Sequence, residues 1–421
     1  MGRMGRAPLI MLIALTAVAT QGPDGGVQAV IASPEFAAAK AFIQSDQDRF
    51  VRELVTLTEI PSPPFKEQAR AAAFADLLRR AGLAGVETDP EGNVIALRKG
   101  AGKGLLVVNA HLDTVFPEGT NVTVKRQGTR LSAPGVGDDT RGLALLLSLV
   151  RAMDAAKMRT TADILFVGNV GEEGEGDLRG IKYLLQKGKY TGRVTQMIAI
   201  DGGDSSGVTN GAVGSKRYRV TFTGPGGHSY GAFGLVNPAF AMGDAIARFS
   251  RLTVPSKPKT TFNVGAVRGG TSINSIPSEV SMDIDMRSES CGELRKLDAA
   301  FLSLVRDAVD AENKSRSTKE GPVKADAKVV GERPCGETPV SSPIVRTAEG
   351  VIRAFGLTPV FTISSTDANI PMSLGIPAIT IGRGGPGGRQ HSPDEWTDVD
   401  PAANARNVEV ALAIILSVAG R

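Results

Sequence analysis

Two kinds of apolar pattern divide the chain. GLLVVNA (104–110), TADILFVGNV (161–170) and VTQMIAI (194–200) are almost continuously apolar over strand-like lengths. A strand with one wet face alternates; a strand covered on both faces does not need to. GLALLLSLVRAM (142–153) predicts a helix between the first two strands. Residues 35–58 predict another helix, with Phe42, Phe50, Leu54 and Leu57 among its apolar positions, and 66–82 a further one. Strand–helix–strand alternation of this kind predicts an α/β sheet covered by helices.

Residues 214–330 follow a different pattern. KRYRVTFTG alternates, with Tyr218, Val220 and Phe222 on one face. EVSMDIDMR sets Val280, Met282, Ile284 and Met286 opposite Ser281, Asp283, Asp285 and Arg287. Between them lie a helix at about 237–252 and the strand TFNVGAV; a long helix from Gly292 and the strand PVKADAKVV follow. The order βαββαβ is the ferredoxin-like arrangement. It reads as a second domain at 213–330, inserted into a first domain formed by 33–212 and 331–421.

Length and composition fit this picture. A chain of 421 residues with 42% apolar content has room for two cores. Net charge is +4, without a basic run or an aromatic-basic patch, so a nucleic-acid partner is not expected. The N-terminus reads as a signal peptide over 1–29: MGRMGRAP, the apolar LIMLIALTAVAT, then cleavage after Ala17-Val18-Ala19 or near Ala29. That run is too short for an ordinary membrane span, and no later segment is expected to make one. The mature chain is expected to be exported, periplasmic or secreted, and free of the membrane. Export permits a bond between Cys291 and Cys335, but two free thiols fit the sequence equally well.

The candidate chemistry gathers at the predicted strand ends, where open α/β sheets bind ligands. Only three histidines occur, and each lies in a distinctive motif: His111 in VVNAHLDTV, His228 in GPGGHSYGA and His391 in GRQHSPDEW. GDDTRG, GEEGEGD and AIDGGD add acidic clusters at glycine-rich turns. Imidazoles with carboxylates suit zinc-like divalent ions, and one carboxylate can bridge two of them. In HLD, Asp113 shares a face with His111 on an extended segment and can orient the imidazole. Of two adjacent glutamates at a strand end, one can bind metal while the other takes a proton from bound water. The gap of about 190 residues between Asp201 and His391 is compatible with one site, because the insertion occupies most of it.

In this order H-x-D, D-x-[KR]-G, EE, D and a C-terminal His resemble the dinuclear-zinc family of aminoacylases, peptidase T, glutamate carboxypeptidase, acetylornithine deacetylase and succinyl-diaminopimelate desuccinylase. The resemblance runs from about residue 40 to the C-terminus. It implies a zinc-peptidase-like catalytic domain, with a mixed sheet covered by helices, and an inserted ferredoxin-like lid. It implies two divalent ions, expected to be zinc, held by His111, Asp139, Glu173, Asp201 and His391. Asp139 takes the bridging position in D-T-R-G, with Asp138 as its rival; the family usually has lysine where Arg141 stands. Glu172 would be the general base and Asp113 the partner of His111. His228 in GGHS would steady the oxyanion, in many members from a partner subunit, so a homodimer through the lid is implied. Asn274, Arg287 and the loop containing Gly384 and Gly385 would contact substrate.

The expected activity is metal-dependent hydrolysis of an amide in a short peptide with a free carboxylate. A deacylase of N-acyl amino acids is the neighbouring alternative. A non-catalytic binding protein on the same fold is the alternative of a different class.

Overall fold

The strand Leu105–His111 is buried at every position, and its side chains divide between two cores. Leu106, Val108 and Ala110 enter the larger core; Leu105 and Val107 enter the smaller one on the opposite face. This is the doubly covered strand that its uninterrupted apolar run predicts. In the computed structural model, which describes residues 23–420, the strand sits inside a nine-stranded mixed sheet. Asp163–Asn169, Leu105–His111, Gln196–Gly202 and Ala378–Gly382 lie side by side and parallel. Their carboxyl ends therefore share one edge. Antiparallel strands flank this block, Val94–Arg98 on one side and Gly207–Ala212 on the other.

The helix Thr140–Ala155 packs on the larger-core face, buried along nearly its whole length. The first helical stretch is two helices, Pro34–Ser45 and Gln47–Thr58, where the apolar pattern predicts one. Asp46 makes the break. Its buried carboxylate accepts bonds from Ser148 Oγ at 3.0 Å and Arg151 Nε at 3.0 Å, which turns the chain across the helix Thr140–Ala155. Pro401–Ala419 corrects another expectation, because by length and composition this helix could cross a membrane. Here Val408, Leu412, Ile414 and Ile415 are core residues.

A separate four-stranded antiparallel sheet is built from residues 214–333, with the order Thr260–Gly269, Glu279–Ser288, Gly214–Thr223, Lys324–Arg333. The helices Pro238–Phe249 and Cys291–Ser315 cover one face. Tyr218, Val220, Phe222, Val280, Met282, Ile284 and Met286 form its own core with Phe249 and Phe301. This is the inserted ferredoxin-like lid, and its alternating strands put the polar residues on the uncovered face. Cys291 and Cys335 are disulfide-bonded, with Cα atoms 5.6 Å apart, joining the start of the long lid helix to the segment returning to the main sheet.

The cleavage point at Ala19 lies outside the described residues. Ala29 lies inside the helix Pro23–Ile31, whose Val27 and Val30 are core residues.

Candidate active site

Each of the parallel strands delivers a functional group at its carboxyl end. His111 is the last residue of its strand and is buried. Its Nδ1 lies 3.0 Å from the Asp113 carbonyl oxygen, which directs Nε2 to Asp138 Oδ1 at 3.1 Å and Asp201 Oδ1 at 3.8 Å. Asp113 has a second role. Its two carboxylate oxygens accept the backbone N–H groups of Glu172 at 3.0 Å and Glu173 at 2.8 Å. One buried carboxylate thus fixes the turn that presents both glutamates.

His391 approaches from the C-terminal segment with a positive φ of 62°. Its Nε2 lies 2.8 Å from Glu173 Oε1 and 3.4 Å from Asp138 Oδ2. Those two carboxylates push the imidazole up to about 10. His111, Asp138, Glu173, Asp201 and His391 therefore converge, although His111 and His391 are 280 residues apart.

The two candidate bridging aspartates differ. Asp138 touches both histidines, one through each carboxylate oxygen. Asp139 is fully buried, and its Oδ2 accepts the backbone N–H of His111 at 3.0 Å. It lies beside His111 and Asp201 but does not group with His391. Burial pushes Asp139 well above the carboxylate range. Burial pushes Asp138 the same way, but Arg383 and then the histidines hold it well below that range. The geometry thus departs from the expectation for Asp139, because one of its oxygens is committed to the backbone and only Asp138 faces both sides.

Glu172 is buried, and Arg333 donates to its Oε1 at 3.0 Å and to its carbonyl oxygen. Burial pushes Glu172 well above its ordinary range, and the Arg333 charge opposes this. Arg383 donates to Asp201 Oδ1 at 2.8 Å and to Asp138 Oδ1 at 3.1 Å. Arg333 lies in GERPCG, where no pattern marks it. Arg383 opens the glycine loop, where its role on Asp201 and Asp138 has no local signal. Asp367 was also missed. It is buried beneath the site, accepts from Asn109 at 2.8 Å and Asn169 at 2.7 Å, and is pushed by burial to about 7. An acid after the apolar VFTI run was its only available signal.

Asp138, Glu172, Glu173, Asp201, Arg333, Arg383 and His391 line a cleft of about 820 Å³ between the main sheet and the lid. Arg287 lines it too. Its Nε donates to Asp285 at 2.8 Å, so the guanidinium pairs with a neighbouring acid while it borders the cleft. His228 and Asn274 are not brought to the cluster. They share another concavity, of about 430 Å³, on the lid. His228 Nδ1 accepts from the backbone N–H groups of Tyr230 and Gly231, both at 3.2 Å, which places the ring proton on Nε2. Tyr230, Phe233 and Ile273 stand exposed nearby in sequence to these two residues. Gly384 and Gly385 do not line the cleft either. A Cβ on Gly384 would meet Asn407 at 2.4 Å and one on Gly385 the Arg141 guanidinium at 2.3 Å, so close packing is the reason for glycine there.

The donor set suits divalent cations. Asp138, Glu173 and Asp201 oppose Arg383, with two imidazoles among them, and Asp139 Oδ1 is buried with no hydrogen-bond partner among the described residues. Nitrogen and carboxylate oxygen are the donors that borderline divalent ions prefer.

The model of Peptidase family M20/M25/M40 matches residues 107–416. Carboxypeptidase G2 of Pseudomonas sp. (strain RS-16) is 25% identical over 199 residues, 46% of this chain and 47% of the relative. The match thus spans about half the length of that curated relative. Aminopeptidase PepT from Bacillus cereus ATCC 10987 shares the fold at a TM-score of 0.70 and 21% identity, covering 89% of this chain and 99% of its own. The YXEP protein of Bacillus subtilis, described as a dinuclear metal binding peptidase, superimposes at a TM-score of 0.65 and 16% identity, covering 89% and 98%. Given the family match over 107–416 of a 421-residue chain, this protein belongs to the Peptidase family M20/M25/M40.

Proposed function

We propose that this protein is a metal-dependent hydrolase that cleaves an amide bond in a short peptide bearing a free carboxylate. The observation that carries this reading is Asp138, which faces His111 with one oxygen and His391 with the other inside a substrate-sized cleft. Asp138 would be shared by two divalent ions, zinc in our reading. His111 and Asp201 would complete one set of ligands, Glu173 and His391 the other. Such ions supply Lewis acidity and a water of lowered pKa.

The chain's own groups do the rest. Arg333 holds one oxygen of Glu172, leaving the other to accept the proton of the attacking water. The same carboxyl returns that proton to the leaving amine as the C–N bond breaks. His228 Nε2–H is a donor suited to the oxyanion. Because it stands apart from the cleft in its own chain, we propose that a second copy supplies it, through the lid surface around Tyr230, Phe233 and Ile273. Sedimentation that finds only monomers at working concentrations would remove that part.

Elemental analysis of purified active protein should find about two divalent ions per chain, with activity lost on chelation. Active protein without metal would sink the reading. A panel of di- and tripeptides beside N-acyl amino acids should show turnover of the peptides; turnover of the N-acyl compounds alone would move the protein to the deacylases.

Arg287 is the proposed grip on the substrate carboxylate. A charge-assisted contact contributes about 1.5–3 kcal/mol, roughly ten- to more than a hundredfold in kcat/KM. Wild type should prefer a free-acid peptide over its C-terminal amide, and Arg287→Ala should lose most of that preference. A variant that keeps it would show that Arg287 serves only Asp285.

We also propose export with cleavage near Ala19, because removal through Ala29 would take core residue Val27 with it. The disulfide is consistent with an oxidising compartment. Mass spectrometry of the native protein should find the chain starting between Thr20 and Pro23; a chain that retains Met1 would contradict export by this leader.

A further inference from the structure

Glu395 lies four residues beyond His391 and immediately before the strand Trp396–Asp398, and it is fully buried. Among the described residues its carboxylate belongs to none of the clusters that could hold a metal ion. Its Oε1 accepts the backbone N–H groups of Gly137 at 2.8 Å and Asp138 at 2.7 Å, and its Oε2 accepts that of Gly135 at 2.9 Å. Its carbonyl oxygen accepts the Ala133 N–H at 3.0 Å. A single residue therefore receives four N–H groups from the stretch 133–138, and three of them go to one carboxylate.

The rest of this stretch is held by the Val136 N–H on the Ala133 carbonyl at 3.2 Å, by the Thr140 hydroxyl on the Gly135 carbonyl at 2.7 Å and by burial of Val136. It enters through the short strand Arg130–Ser132 and passes Gly135 at a φ of 75°. It ends at Asp138, whose carboxylate faces Glu173, His391 and His111. Arg383 and the two histidines hold that carboxylate only if the backbone beneath it keeps its place. A free loop would let Asp138 shift as a whole off this geometry. With its backbone N–H groups held from below by charge-assisted bonds, the loop cannot shift without leaving a buried carboxylate unpaired. Gly137 belongs to the same device. A Cβ there would lie 2.9 Å from Glu395 Oε1, so only glycine lets the carboxylate come this close.

We infer that Glu395 is a positioning residue that fixes Asp138 against His391 and thereby sets the affinity of the two-ion site. The inference rests on the metal reading proposed above. Glu395 and His391 belong to one segment, which is paired through Trp396 with Ser132. That segment thus supplies one ligand and clamps the loop that supplies another, from about 255 residues away. Asp113 does the same for the Glu172–Glu173 turn with two N–H groups.

The test is Zn²⁺ titration of the metal-free full chain in competition with a chromophoric chelator, beside thermal unfolding of the same metal-free protein. A glutamine at 395 keeps the shape and one acceptor oxygen, but turns an amide toward the loop. Outer partners of metal ligands contribute about 10–100-fold in affinity. Wild type should take up two zinc ions, and Glu395→Gln should bind them about 10–100-fold more weakly. Gly137→Ala, which keeps the carboxylate but displaces it, should weaken binding in the same direction and serves if Glu395→Gln does not fold. A merely structural glutamate would lower the unfolding temperature and leave zinc affinity within about twofold of wild type, and that result overturns the inference. A wild-type chain that binds no zinc overturns the metal reading, and this inference with it. Wild type binding two ions beside equally tight variants overturns the inference alone.

Discussion

Asp138→Asn is expected to abolish turnover while the chain stays folded. An asparagine fills the same space but offers one carbonyl oxygen, so it cannot present an anionic oxygen to each histidine. Metal content after dialysis should fall below two ions per chain, and kcat/KM should fall by at least about 10³-fold, equivalent to about 4 kcal/mol of transition-state stabilisation. Asp139→Asn is the matched control. Its side-chain oxygen can still accept the His111 N–H now bonded to Asp139 Oδ2, so metal content should remain near wild type. Elemental analysis of both variants beside wild type decides the matter. Metal loss in Asp139→Asn with retention in Asp138→Asn would restore the bridge to Asp139.

Glu172→Gln should separate chemistry from metal binding. Glutamine can still accept from Arg333 through its carbonyl oxygen, so the local packing survives, but it cannot take a proton from water. A general base contributes typically about 10²–10⁴-fold, and kcat should fall by that amount with two ions retained. Glu173→Gln, whose parent oxygen lies 2.8 Å from His391 Nε2, should instead lose metal. Equal metal loss in both variants would refute the division of roles between the adjacent glutamates.

These two residues also mark what could be read from the chain. The strand Leu105–His111 was legible because burial on both faces leaves an uninterrupted apolar run, and its end placed His111 at the ligand-binding edge of the sheet. The lid was legible because its strands have one wet face and so alternate. Glu172, Glu173 and Asp201 were found as candidates by the same rule, since each follows or ends an apolar strand. Asp46 was not legible as a helix break. Its reason is Arg151, about 100 residues away on another helix.

Local order therefore determined which elements form and which candidate acids stand at their ends, because burial pattern and turn chemistry act over a few residues. Tertiary structure decided which oxygen faces which neighbour. Asp138 and Asp139 are adjacent and chemically identical, and only the packing of the His111 N–H against one, and of His391 against the other, distinguishes them. Arg333, Arg383 and Glu395 carry no local pattern, since each acts on a partner from another part of the chain. His228 and Asn274 sit together on the lid, yet outside the cleft. Sequence order carries no record of the distance across a fold, and at this site that distance separates a ligand from a residue that merely stands beside one.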